Sequence, residues 1–134
     1  MDRLACAWLI KRHIDPAASF VWLESPADLP SEAVGFDFDG APFTHVDSRV
    51  TFEVFLKSFD LEADVALRRL GDLVHYLDVG GIPVADAAGV ATILTGAKQQ
   101  SRDDDQFLKH ALALFDWLYA AYTDVEPETD RGSE

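Results

Sequence analysis

One cysteine, Cys6, is all the chain offers, so no internal disulfide can form. That scarcity suits a reducing, cytoplasmic setting. In the apolar stretch around it, Cys6 reads as a packing residue more readily than as a nucleophile. No apolar run approaches the roughly 18 residues that a membrane span needs. The opening MDRLACAWLIKRHID carries charges at Asp2, Arg3, Lys11 and Arg12 and no small-residue cleavage site, unlike a signal peptide. Also absent are a glycine-rich phosphate loop, a G-x-S-x-G elbow, paired cysteines and an H-E-x-x-H pair. Positive charge is scarce as well: 11 Lys and Arg against 24 Asp and Glu give a net charge of −13. Such a field repels phosphates and excludes nucleic-acid binding by this chain alone. It repels free anions at long range and attracts cations, although solubility alone would account for it equally well.

What is present is a 134-residue, 49% hydrophobic sequence, enough for one domain with its own core. Asp2 to His13 reads as a helix capped by Asp2, with Leu4, Ala5, Trp8, Leu9 and Ile10 on its apolar side, stopped before Pro16. Ser19 to Leu23 reads as a buried strand. Across 33–46, AVGFDF and APFTHV flank Asp39-Gly40, the pair that favours a two-residue hairpin turn. Thr51 is placed to cap a helix with Phe52, Phe55, Leu56 and Phe59 on one face. Asp60 or Glu62 opens the next, which buries Leu67, Leu70, Val74 and Leu77 and ends at Gly80-Gly81. A small-residue helix follows from Ala85 to Thr95, with Gly96 as its stop. Asp103-Asp104-Asp105 starts a long last helix bearing Phe107, Ala111, Leu114, Phe115, Leu118 and Tyr122. The acidic tail 124–134 is polar and is predicted to be disordered. The sum predicts an α+β fold: a small antiparallel sheet of three strands, including the 33–46 hairpin, packed against four to five helices.

Ligand-type side chains concentrate between Phe43 and Asp78. His75 and Asp78 stand three apart on one helical face. With His45 from the hairpin's end and Glu53 from a neighbouring helix start, they compose a set suited to a divalent metal, Zn, Mn or Fe. The plainer alternative assigns His75 to the core or surface, Asp78 to the helix exit and Glu53 to the helix dipole. Asp72 has Arg68 and Arg69 one turn back and reads as their ion-pair partner. Arg49 lies just before a helix start, where free N–H groups and a guanidinium can receive an oxyanion. Pairing of Arg49 with Asp47 or Glu53 is the competing reading.

Four stretches carry a family resemblance: DRLACAWLIKRHIDPAASFVWL, FDFDGAPFTHVDSRVTFEVFL, LGDLVHYLDVGG and DDDQFLKHALALFDWLYAAY. From residue 2 to about 122 the chain resembles the C-terminal domain of the ChrB chromate-resistance family. The resemblance implies a bacterial role in resistance to chromate, whose longer members are chromate-responsive regulators with a separate N-terminal region that contacts DNA. It marks Asp2, Arg3, His45, Arg49, Glu53, His75 and Asp78 as the polar members of the family blocks. Val50 stands where members often carry cysteine, and Asp105 where histidine is expected. The expectation is therefore a non-enzymatic ligand-sensing or accessory domain. A divalent metal would lie on His45, Glu53, His75 and Asp78, with a chromate-like oxyanion on Arg3 and Arg49. The alternative is a small metal-dependent enzyme with an open coordination position. The third reading is a plain interaction module whose exposed Trp and Phe residues dock a partner or a second copy, as in a homodimer.

Overall fold

Seven of the eight residues of the first helix, α1 (Asp2–Leu9), are buried, and three of the four later helices pack on it. A helix apolar on all sides belongs at the centre of a core. The computed structural model describes residues 2–20 and 49–123. After α1 come α2 (Thr51–Ser58), α3 (Val65–Val79), α4 (Ala87–Gln100) and α5 (Asp104–Thr123). α1 packs on α2, α3 and α5, while α4 lies outside, against α3 and α5. Trp8, Phe52, Leu70, Val74 and Phe115 meet in the middle with essentially no exposure. Each comes from the apolar stripe of a different helix or turn, spaced at three and four residues.

α1 does not run regularly to His13. Residues Ile10–Ile14 widen into a π-helical turn, in which Asp15 N–H donates to the Ile10 carbonyl at 2.7 Å. The extra residue per turn brings Arg12 and His13 over α5. Arg12 grips Asp116 with Nε at 2.9 Å and Nη2 at 3.0 Å, and the indole N–H of Trp8 donates to the same carboxylate at 2.8 Å. His13 rests against the rings of Trp8 and Tyr119. Tyr119 donates its hydroxyl to Asp64, which in turn caps α3 by accepting from Leu67 N–H at 3.0 Å.

Several sequence expectations change here. The described residues are 74% helical and contain no strand, so the α+β class with a three-stranded sheet gives way to a helical core. Among the described residues the apolar stripes of α1, α2, α3 and α5 cover one another without a sheet, and Ser19 and Phe20, the described start of the expected first strand, are irregular. The 33–46 hairpin and the 124–134 tail lie outside the described residues. Asp64, not Asp60 or Glu62, opens α3; Asp60 instead takes a left-handed conformation (φ 56°) just past α2, a region that Asp tolerates. Gly96 does not stop α4, which continues to Gln100 because an isolated glycine lowers helix stability without removing a hydrogen bond. The expected exits and entries hold elsewhere. Gly80 and Gly81 end α3 with positive φ, and Asp103 accepts from Gln106 N–H at 2.8 Å to start α5. No helix among the described residues is long and apolar enough to cross a membrane.

Candidate functional site: a capped helix start and an arginine-lined cleft

The centre of the site is the first turn of α2, and its cap comes from elsewhere in the chain. Val50 occupies the N-cap position in extended conformation but has no oxygen to offer. Asp2 supplies it: one carboxyl oxygen accepts from Thr51 N–H and the other from Phe52 N–H, both at 2.9 Å. Asp2 is 2% exposed, and the Cys6 thiol one turn along α1 donates weakly to it at 3.5 Å. The residue expected to cap its own helix thus caps a helix about fifty positions away. Thr51, expected as the cap, becomes the first helical residue.

Glu53 completes the helix start from the other side. Its Oε1 accepts from Val50 N–H at 3.1 Å and meets His75 Nδ1 at 2.7 Å. A carboxylate oxygen only accepts, so Nδ1 carries the proton and Nε2 is the nitrogen left open. His75 and Glu53 are partly exposed, and Gly81 lies beside the outer edge of the ring. Of the expected metal set the structure joins Glu53 and His75. Asp78 is exposed farther along α3 and does not join them: among the described residues no group of three or more His, Cys, Asp or Glu could hold a metal. His45 lies outside the described residues.

Beside Glu53, between α2 and α3, opens a cleft of about 390 Å³. Arg49, Arg68 and Arg69 line it together with Glu53, Glu62 and Asp72. Arg69 is anchored, its guanidinium 4.1 Å over the Tyr122 ring, rather than paired with Asp72 as expected. Arg49 and Arg68 are exposed and form no ion pair among the described residues. Arg3, the other expected anion ligand, is exposed on α1 and does not line the cleft. The expected oxyanion seat on the free N–H groups of α2 is also corrected. Asp2 and Glu53 already fill three of those donors, so an anion here meets guanidinium side chains, not helix backbone. Arg68 and Arg69 were hidden in the sequence by the local ion-pair reading. Their signal was two adjacent cations in a chain that has few.

Below the cleft, Tyr122 donates to Asp86 at 2.8 Å, and burial together with that bond pushes its hydroxyl up to about 12. It remains a neutral hydrogen-bond donor and a flat platform for Arg69.

A small helical domain with a capped helix start and an arginine-bearing cleft is the class that these observations define. The chain belongs to a known family: the family described as ChrB, C-terminal domain, matches residues 1–122. Protein ChrB of Cupriavidus metallidurans is 51% identical over 123 residues, which cover 92% of this chain and 38% of that relative. The chain thus spans about two fifths of the relative's length. No solved structure matches the chain.

Proposed function

We propose that this chromate-resistance-family domain is a non-catalytic, ligand-sensing or accessory unit that takes a small tetrahedral oxyanion, chromate or an isostere, in the cleft between α2 and α3. The observation that carries the reading is the grouping of Arg49, Arg68 and Arg69 around one opening in a chain of net charge −13. The whole-protein field opposes an anion, so capture depends on local donors, and guanidinium forks are suited to oxyanions. Arg69 is held by Tyr122, whereas Arg49 and Arg68 are available to the ligand. Glu53, Glu62 and Asp72 on the same rim keep the cleft from retaining anions indiscriminately.

Calorimetric titration with chromate, with sulfate as competitor, tests this. Arg49→Gln and Arg68→Gln each weaken binding about tenfold, as loss of one charge-assisted contact implies. Lys98→Gln, on α4 away from the cleft, leaves binding unchanged. No heat with chromate, or equal affinity in the Arg49→Gln/Arg68→Gln double variant, rejects the reading.

A second reading, a small metal-dependent enzyme, is favoured by one observation: the Glu53 carboxylate orients His75 as outer carboxylates orient metal-binding histidines. The described residues by themselves do not make up a metal site. Metal content of the purified wild type and of His75→Ala separates the readings, since only a metal protein loses bound metal on losing the imidazole.

A further inference from the structure

Separate from the arginine cleft, with which it shares no lining residue, an apolar groove of about 330 Å³ lies between α4 and α5. Ile93, Leu94, Ala97, His110, Leu114 and Trp117 line it. Trp117 is 70% exposed and Ile93 56%, although both are of the kind that a chain ordinarily buries. Two apolar side chains exposed together at one groove mark a contact surface more strongly than either alone. α4 also carries Gly89 and Gly96 in its interior, at a cost in helix stability relative to alanine. A Cβ added at either would meet nothing within 4 Å, so packing inside the chain gives no reason for them.

Charge decides what covers this face. Of 24 acidic residues none lines the groove, and α4 from Ala87 to Gln100 holds none, its one charge being Lys98. A basic partner would be drawn to the carboxylate-rich surfaces instead. A second copy, itself at −13, is repelled at those surfaces and least repelled here. A two-fold axis sets each patch against itself, so an uncharged patch meets an uncharged patch. We propose that two copies of this chain associate through α4 and α5. The Trp117 side chain of each copy seats in the groove of the other, and Gly89 and Gly96 allow the two α4 helices to approach closely. Helices of 14 and 20 residues run about 21 and 30 Å. Side by side they offer a face on the scale of the roughly 800 Å² per partner of a standard interface.

Sedimentation velocity on the full chain, from about 1 μM to 1 mM and at low and high salt, tests the proposal. A monomer–dimer equilibrium is expected, shifting toward dimer as salt screens the like charges. Trp117→Glu and Ile93→Glu each weaken it at least tenfold while the far-UV circular dichroism stays that of the wild type, since both side chains are exposed. Gly96→Cys is expected to yield a disulfide-linked dimer on oxidation. Val79→Cys, exposed on α3, is not; the natural Cys6 is buried and stays out of the reaction. A wild type that is monomeric throughout the range overturns the proposal. So does a dimer that survives both glutamate substitutions, or cross-linking at Val79 equal to that at Gly96. A different protein seated on this face of a monomeric chain counts against it in the same way.

Discussion

Replacing Asp2 tests how the domain is built, because one buried carboxyl holds the start of a helix distant in sequence. Asp2→Ala leaves Thr51 N–H and Phe52 N–H without acceptors, at a position where Thr51 and Phe52 are fully buried and water has no access. A buried donor left unpaired costs about 1–3 kcal/mol, and loss of a cap alone about 1 kcal/mol. Two such donors amount to roughly 3 kcal/mol, a large share of the 5–15 kcal/mol typical of a domain. For a chain of this size that lowers the melting temperature by about 10 °C. Asp2→Asn keeps an amide oxygen for one of the two donors and costs about half as much. Urea unfolding followed by circular dichroism measures both. Should Asp2→Ala unfold within about 0.5 kcal/mol of the wild type, the range of an indifferent surface change, the inter-helix cap contributes nothing and the account is wrong. An Asn variant as damaged as the Ala variant would show instead that carboxylate charge, not acceptor geometry, is what matters.

Three further outcomes follow from the packing. Asp116→Ala destabilises by about 1–2 kcal/mol, because it strands the indole N–H of the buried Trp8. Arg12→Ala, which breaks only the exposed side of the same cluster, costs under about 0.5 kcal/mol, and urea melts rank the two. Burial holds the His13 imidazole below its ordinary titration range, against the pull of Asp64 and Asp116. The folded state therefore binds fewer protons than the unfolded one in that window. The stability that His13 contributes is complete above the unfolded value of about 6.5 and is lost as pH falls through the folded one. His13→Phe flattens the urea midpoint between about pH 7 and 5, and an unchanged slope refutes the assignment. Gly89→Ala raises the stability of the monomer by about 0.5–1 kcal/mol, since its Cβ meets open space; a loss would reveal packing on that side of α4.

The elements with strong 3.6-residue periodicity were legible in the sequence. The stripes of α2, α3 and α5 were readable from Phe52, Phe55 and Leu56, from Leu67, Leu70 and Val74, and from Ala111, Leu114 and Phe115, all of them buried. So were the glycine exit of α3 and the aspartate entry of α5, because caps are local chemistry. What was not legible depended on partners far along the chain. No rule of spacing distinguishes an Asp that caps its own helix from one that caps another, and Asp2 does the second. The π-helical turn at Ile10–Ile14 places Arg12 over Asp116 on α5, a tertiary fit that a helical-wheel reading cannot contain. Asp64 displaced Asp60 and Glu62 as the cap of α3, and it is tied to Tyr119 on a helix 55 residues later. The strand expected at Ser19–Leu23 rested on aromatic and branched residues alone, a pattern that does not by itself separate a strand from irregular chain, and its described start is irregular. Of the candidate site, the Glu53–His75 contact is the part that the clustering of donors foreshadowed.

The hydrogen bonds around α2 also sort the polar residues by role. Asp2 is consumed by Thr51 and Phe52, and Glu53 by Val50 and His75. Substituting either would disturb any ligand indirectly, through the position of the α2 start, so a lost affinity there identifies no ligand contact. Arg69 is likewise consumed by Tyr122. Arg49 and Arg68 have no such duty among the described residues, and a long cation exposed in a cleft without a carboxylate partner contributes little to folding. Their substitution should therefore separate binding from stability: urea midpoints unchanged while oxyanion affinity falls. Asp2→Ala should lower both together. That contrast, more than the size of either effect, distinguishes a cleft that receives a ligand from one that is only the seam between α2 and α3.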